Sequence, residues 1–582
     1  MAALALDPLA EHVWRTRYRH RGDGAAADGT VGDSLARVAA AVAAVERDPD
    51  AWSARFRDLL AGFRFLPGGR ILANAGTRRS TTLLNCFVMG PIKDTLAGVF
   101  EALEEGALTL QQGGGVGYDF STLRPRGAEA RSSGGLAAGP VAWMRLWDAA
   151  CATVTAGQPR GGAMMATLRV DHPDVLEFIE AKRAAGALER FNLSVGVTDA
   201  FMDAVEAGGP WALRFPPPGA VERPRAPPVG GELPARELWR RLGDAAAGTA
   251  EPGVLFLDTL ERENNLRWCE RLAATNPCGE APLPAYGACD LGSLNLPAFV
   301  REPFTAGASL DLEALEEAAR TAVRLLDDVL GVARYPLMRQ REAAASTRRI
   351  GLGITGLADA LAMLGLRYDS AEGREQAAAT MERVKLAAYA ASVELAIEKG
   401  AFPAWRRDPY LAAPFVSRLP AALRDRIARH GIRNSHLLAI APAGSISLLA
   451  GNVSPGLEPI PARVQRRRLR DPSGDELEFE VADYAWAEFL RRRPEGGPAE
   501  AFVEARDLSV ADQLLMQAAL QPHVDGAISK TVALPPEATG EDAGATFGQA
   551  HRLGLKGCTV YRPGTVRGGV IARAGCARCV PD

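Results

Sequence analysis

The residue pattern predicts an α/β protein with a helical N-terminal region, on three observations. Helical spacing runs through residues 1–60, and from Phe65 to about Asp199 short apolar runs alternate with Gly-rich turns. Long helical patterns then recur at 235–247, 311–332 and 375–400.

Taken in order, the first region carries Leu35, Val38, Val42, Val45, Trp52, Phe56, Leu59 and Leu60 at helical spacing, after a Gly/Asp/Ala-rich break around residues 22–34. It reads as a small helical cap. The alternating region contains FLPGGRILANAGT, LLNCFVMGPI and GGGVGYDFSTLRPRG, followed by the helix-like GPVAWMRLWDAACATV. Pro and Gly cluster at 208–232, which predicts a surface excursion or an elaborated hairpin. Between the later helices lie two loop-like segments dense in functional residue types, 273–297 and 434–460, where chemistry is expected. A helical stretch near 509–520 leads to ISKTVALP, GLKGCTVYRPG and a Gly/Ala/Cys tail. No period of 20–50 residues marks a repeat architecture.

A chain of 582 residues with 47% hydrophobic and 24% charged residues is ordinary globular material, too long for a small binding module. Its net charge of -3 gives no electrostatic basis for a nucleic-acid or membrane-surface partner. Only six of the 67 basic residues are lysine, which reads as a compositional habit. The opening MAALALDPLAEHVW lacks the features of a secretory signal, and no apolar run of ~18 residues occurs, so a cytoplasmic protein is expected.

The eight cysteines lie at 86, 151, 269, 278, 289, 558, 576 and 579. In such a protein they suggest catalysis, redox chemistry or metal binding before a disulfide framework. Cys576-Ala-Arg-Cys579 is the one Cys-x-x-Cys; without a second pair it reads better as a mobile dithiol than as a zinc site, and no metal site is predicted. Cys151 and Cys269, in helix-like surroundings, read as small buried hydrophobes. Cys278 differs, because Pro277 and Gly279 impose a turn around it, with an amide at Asn276 and a carboxylate at Glu280.

Asn276-Pro277-Cys278-Gly279-Glu280 resembles the active-site finger loop of the ribonucleotide reductase family. GACDLGSLNL resembles the strand that carries one member of the family's redox pair, here Cys289, and Cys86, in LLNCFV, resembles the other member. FLPGGRILANAGT, GGGVGYDFSTLRPRG, RIGLGITGLADAL, IAPAGSISLLAGNVSPGLEPI and HVDGAISKTVALP match in order, so the likeness spans residues 8–582. Near the C-terminus a single Tyr561 stands where the two-subunit class carries a Tyr-Tyr pair, and neither a glycyl-radical loop nor an ATP-binding cone is apparent. TVYRPG, PLAEHVWRTRYR and the Cys-x-x-Cys tail resemble the adenosylcobalamin-dependent class II enzymes.

The resemblance implies a ten-stranded α/β barrel of two antiparallel five-stranded halves with the Cys278 loop at its centre. It divides the chain into a helical region (1–62), a catalytic barrel (63–565) and a flexible redox tail (566–582). The implied activity is reduction of ribonucleoside diphosphates with adenosylcobalamin as cofactor. Cys278 would be the thiyl radical, Glu280 the general base and Asn276 the holder of the substrate hydroxyls. Cys86 and Cys289 would be oxidised to a disulfide, which Cys576 and Cys579 would reduce with a thioredoxin- or glutaredoxin-like partner. Substrate contacts are implied for Asn85, Gly115 and the finger-loop residues, and a diphosphate cradle for Pro442, Ala443, Gly444, Ser445, Ile446 and Ser447. In that cradle Ala443 and Ser445 replace the usual threonines, so one hydroxyl is lost. Asp94, Arg124 and Arg131 match positions that contact a deoxynucleotide effector at a homodimer interface, and the loop near Gly157–Ala163 would relay its signal. The rival readings are a class I large subunit that needs a separate radical-generating subunit, and a non-catalytic dNTP-binding paralogue.

Overall fold

The computed structural model describes residues 6–22, 27–130, 134–156, 162–215, 229–470, 476–492 and 498–565. The helical region begins with α1 (Pro8–Val13), which continues into a π-helical turn at Trp14–Tyr18. Next come α2 (Val31–Ala43) and α3 (Pro49–Leu60). A reciprocal capping box starts α2, Asp33 N–H donating to Thr30 Oγ1 and Thr30 N–H to Asp33 Oδ2. Asp48 caps α3, and Pro49 occupies its first turn, where no amide hydrogen is needed. Leu35, Val38 and Val42 of α2 and Phe56, Leu59 and Leu60 of α3 are buried, as their spacing requires. Val45 departs from that reading: α2 ends at Ala43, and Val45 lies beyond it, 46% exposed.

Ten strands form the central sheet: β1 (Phe65–Pro67), β2 (Cys86–Val88), β3 (Gly115–Asp119), β4 (Met164–Arg169), β5 (Phe191–Val197), β6 (Gly253–Phe256), β7 (Ala288–Asn295), β8 (Ile350–Thr355), β9 (Thr531–Ala533) and β10 (Gly557–Tyr561). Strands β2 to β6 run parallel in sequence order. Across an antiparallel contact β6 meets β10, which is parallel to β9. At the other end β2 meets β7 antiparallel, and β7 is parallel to β8. Parallel bridges Leu352↔Leu438 and Ile440↔Ile528 insert residues 437–440 between β8 and the approach to β9. The ring is therefore closed, two mutually parallel sets facing each other across two antiparallel seams. Strand β1 adds to β7 on the edge that β2 also uses.

Packed around this ring are α4 (Leu96–Gln111), α5 (Pro140–Val154), α6 (Ala235–Thr249), α7 (Leu312–Val332), α8 (Ala371–Lys399), α9 (Gly444–Leu449), α10 (Val510–Leu520) and α11 (Gly540–Arg552). The Pro/Gly-rich excursion is a hairpin pairing Pro210–Phe215 with Val229–Pro234. Two segments read as loops contain regular structure. In 273–297, β7 has all eight residues buried although ACDLGSLN is poor in β-branched side chains. In 434–460, the expected turn is the short helix α9. A ring strand with both neighbours paired does not need strong local propensity, because its partners supply the hydrogen bonds.

Candidate active site

The finger loop is a hairpin, Ala274–Thr275 paired with Pro282–Leu283, with the tip at 276–281. It lies inside the ring. On one side it meets β3, which approaches so closely at Gly117 that a Cβ there would collide with the carbonyl oxygen of Thr275. Asn192 of β5 donates to the Pro277 carbonyl at 2.8 Å. On the opposite side Ala527 N–H donates to the Glu280 carbonyl at 2.9 Å. Gly279, at φ +84°, makes the turn that a side chain would disfavour, and its N–H donates to the Asn276 carbonyl.

At the β2/β7 seam Cys86 and Cys289 are register partners. Antiparallel partners stand about 4.5–5.5 Å apart at Cα, within the ~4.4–6.8 Å that a disulfide spans. Both are buried free thiols, whereas Cys278 at the loop tip is exposed. Asn276 Nδ2 donates to Cys86 Sγ at 3.2 Å, and Cys86 Sγ lies 3.9 Å from Glu280 Oε1. Asn276 Oδ1 accepts from Ala281 N–H at 2.9 Å, so one amide side chain ties the loop to the seam thiol.

Electrostatics sort these groups. Burial raises the Cys86 thiol well above its ordinary value, and the charges of Glu280, Cys289 and Cys278 add to the effect. Cys289 is raised by burial and then by Asp290. Cys278 is also raised, first by desolvation of its thiol inside the ring, although the residue keeps accessible surface, and then by Glu280. All three are protonated at neutral pH, the form that can give up a hydrogen atom or a proton. Burial pushes Glu280 up to about 7 against hydrogen bonds from Asn276, its own backbone and Cys86. Its Oε2 has no hydrogen-bond partner, leaving an acceptor for an incoming hydroxyl.

Asn85 and Gly115 flank the site. Gly115 lies against Pro277 and its N–H donates to the Asn85 carbonyl; Asn85 Oδ1 is buried without a partner. Pro442 precedes Ala443, which takes φ +49° as N-cap of α9; Gly444, Ser445, Ile446 and Ser447 form that helix's first turn. Ser447 Oγ donates to the Gly444 carbonyl, and Ser445 Oγ lies 2.6 Å from Tyr18 Oη.

Asp94 and Arg124 are brought together, Arg124 Nε donating to Asp94 Oδ2 at 2.7 Å. Arg131, Cys576, Cys579 and residues 157–161 lie outside the described residues. Cys151 is buried in α5 as expected, but Cys269 is exposed: it sits in a turn after the Leu257–Arg262 helix, with no helix face to bury it.

Residue-type reasoning missed the support behind the loop. Lys556 donates to the carbonyls of Asp525 and Gly526 at 2.7 and 2.6 Å, and Asp525 accepts from Leu437, Leu438 and Gly526 N–H. This clamp presents Ala527 to Glu280. The one available signal was scarcity, Lys556 being one of six lysines among 67 basic residues, and it does not point to this role.

A closed ring of two opposed parallel sets, with a cysteine-tipped finger inside and a thiol pair on its seam, defines a class of protein. The chain belongs to the ribonucleotide reductase family: the family's barrel domain matches residues 84–561 and its all-alpha domain residues 4–80. Among relatives, the vitamin B12-dependent ribonucleoside-diphosphate reductase of Mycobacterium tuberculosis is 41% identical over 98% of this chain and 81% of its own length. The protein of that name from Thermoplasma acidophilum is 35% identical over 87% of this chain and 65% of its own. The ribonucleoside-diphosphate reductase subunit alpha of Chlamydia trachomatis is 28% identical over 73% and 44%.

Proposed function

We propose that this chain reduces ribonucleoside diphosphates to 2′-deoxyribonucleoside diphosphates with adenosylcobalamin as radical source, supplying precursors for DNA. The observation that carries the reading is the juxtaposition of the opposed Cys86/Cys289 pair with Asn276 and Glu280 of a loop whose tip is Cys278. The site fits the cofactor in one respect: of these three cysteines Cys278, at the loop tip inside the ring, alone keeps substantial accessible surface, so a reactive group that reaches the tip meets it first. When bound, adenosylcobalamin supplies a carbon radical by cobalt–carbon homolysis. Among the described residues no cluster of His, Cys, Asp and Glu is arranged to hold a metal ion.

In this reading Cys278, as a thiyl radical, takes the 3′ hydrogen of the ribose. Glu280 accepts the proton of the 3′-hydroxyl, and Asn276 orients the substrate hydroxyls. The 2′-hydroxyl leaves as water with a proton from the Cys86/Cys289 pair, and the two thiols are oxidised to a disulfide. Cys278 then returns its hydrogen to C3′. The net change is one ribonucleotide and two thiols to one deoxyribonucleotide, water and one disulfide. Cys576 and Cys579 reduce that disulfide by thiol exchange and are themselves re-reduced by a thioredoxin- or glutaredoxin-like protein.

Contacts to the substrate are assigned to Asn85, Gly115 and the first turn of α9, where the diphosphate would lie. A deoxynucleotide effector is assigned to Asp94, Arg124 and Arg131, next to a homodimer surface formed by α4. The solvent-facing Leu96, 65% exposed, and Phe100, four residues on and 49% exposed, favour that surface. No helix among the described residues is long and apolar enough to cross a membrane.

The test is anaerobic turnover of CDP by the purified chain with dithiothreitol and an effector dNTP. Deoxycytidine product only when adenosylcobalamin is added is the expected result. Inactivity with the cobalamin, and activity on adding a radical-bearing second subunit, would replace this reading with that of a class I large subunit.

A further inference from the structure

One hydroxyl of the N-terminal helical region meets the first turn of α9. Tyr18, at the end of the π-helical turn and 2% exposed, places its hydroxyl 2.6 Å from Ser445 Oγ, across 427 residues of sequence. The phenol is held from behind. Arg37 donates to the Tyr18 carbonyl, to the Leu72 carbonyl and to Asp28 Oδ2. Asp28 in turn accepts from His20 N–H and from Ser34 Oγ, and Ser34 accepts from Trp14 Nε1. The residues on both sides of Tyr18 are thereby fixed by a buried polar cage, which leaves the ring little freedom to move away from Ser445.

Ser445 is also the hydroxyl that matters in that segment. Position 443 is alanine and carries none, while the Ser447 hydroxyl donates to the Gly444 carbonyl of its own turn. A serine hydroxyl has one proton and two acceptor sites. If the Tyr18 O–H donates to Ser445 Oγ, the Ser445 proton is released to point elsewhere, and a donor that itself accepts a hydrogen bond is polarised and donates more strongly. If Ser445 donates to Tyr18, it has nothing to offer an anion. The direction of this hydrogen bond, open to either hydroxyl as donor, therefore decides which way the Ser445 rotor faces.

We propose that Tyr18 is a positioning residue for nucleotide binding: it accepts no substrate atom itself but orients Ser445 to donate to an oxygen of the substrate diphosphate. This rests on the assignment of the first turn of α9 to the diphosphate. It gives the helical region a direct part in substrate affinity.

The experiment compares Tyr18→Phe, Ser445→Ala and the double variant in the full-length enzyme, reading kcat and KM for CDP, calorimetric binding of CDP and of cytidine, and Tm. Loss of a hydrogen bond to a charged group corresponds to about a tenfold weakening. Tyr18→Phe is expected to raise the CDP KM and Kd about tenfold, with kcat within about twofold, cytidine binding unchanged and Tm retained. Ser445→Ala should do the same, and the double variant no more than either single one, because one interaction is removed in each case. Unchanged CDP binding in Tyr18→Phe, with weakened binding in Ser445→Ala, would overturn the role of Tyr18 alone. Effects that multiply in the double variant, or a Tyr18→Phe loss confined to kcat or shared by cytidine, would also overturn it. Unchanged CDP binding in Ser445→Ala would instead remove the diphosphate assignment on which the proposal stands.

Discussion

Glu280 carries the pH behaviour of the site. A base must be ionised to accept a proton, so kcat/KM should rise with pH along a limb centred near pH 7, the value to which burial pushes this carboxyl. Glu280→Gln should abolish turnover while leaving CDP binding within a few-fold. The same shift bears on stability. The folded protein holds this proton more tightly than the unfolded chain between the ordinary glutamate value of 4.5 and about 7, so the stabilisation is complete below 4.5 and is lost as pH rises through 7. The change amounts to roughly 3 kcal/mol. Urea titrations at pH 5 and pH 8 should give a smaller loss for Glu280→Gln than for the parent; equal losses would contradict a strongly raised Glu280. At this scale the sequence was most legible, since Asn276, Cys278, Glu280, Cys86 and Cys289 are side-chain types whose chemistry is visible in one dimension. Tyr18 and Lys556 were not, because each acts on backbone or on a hydroxyl brought near only by folding.

Among elements, the finger depends on β3. Gly117 faces the Thr275 carbonyl, and backbone on both sides cannot retreat as a flexible side chain could. Gly117→Ala should displace the loop by about 1 Å and cut kcat ~100-fold, with a smaller effect on the KM for CDP; steady-state kinetics on protein checked for an intact far-UV spectrum would measure it. Element types were legible where an amphipathic pattern is long: α6, α7, α8 and α10 lie where periodicity puts them. The ring was not. Its closing stave at 437–440 is joined by isolated bridges to Leu352 and Ile528, pairings that leave no local signature in composition. Strand β7 was legible through the resemblance of GACDLGSLNL to the family's strand and not through periodicity, since burial on both faces removes the alternation by which a half-exposed strand is recognised.

Across the whole molecule, the helical region is fastened to the barrel by buried charge as well as by apolar packing. Arg324 of α7 donates to Glu46 at 2.5 Å and to Glu398 of α8, stacks over Trp52 at 3.8 Å, and Lys399 reaches both Glu46 and Asp328. Burial opposes ionisation of Glu46, but Arg324, Asp328 and Lys399 outweigh it and hold the carboxyl at about 2. Its contribution is therefore present above the ordinary glutamate value of 4.5 and lost as pH falls through about 2. Glu46→Ala, which leaves Arg324 with Glu398 and Lys399 with Asp328 as their remaining carboxylate partners, should cost about 2 kcal/mol at pH 7 in denaturant unfolding through the lost charged hydrogen bonds. A loss below about 0.5 kcal/mol would mean that apolar contacts alone dock the region.

The β2/β7 seam has a mechanical meaning as well. Oxidation of Cys86 and Cys289 would rivet one half of the ring to the other, and reduction would draw the rivet out again. About 200 residues lie between the two positions, a contour length of roughly 700 Å that a stretched chain could release in one state of the cycle and not in the other. Catalysis and tensile strength would then alternate in the same two atoms.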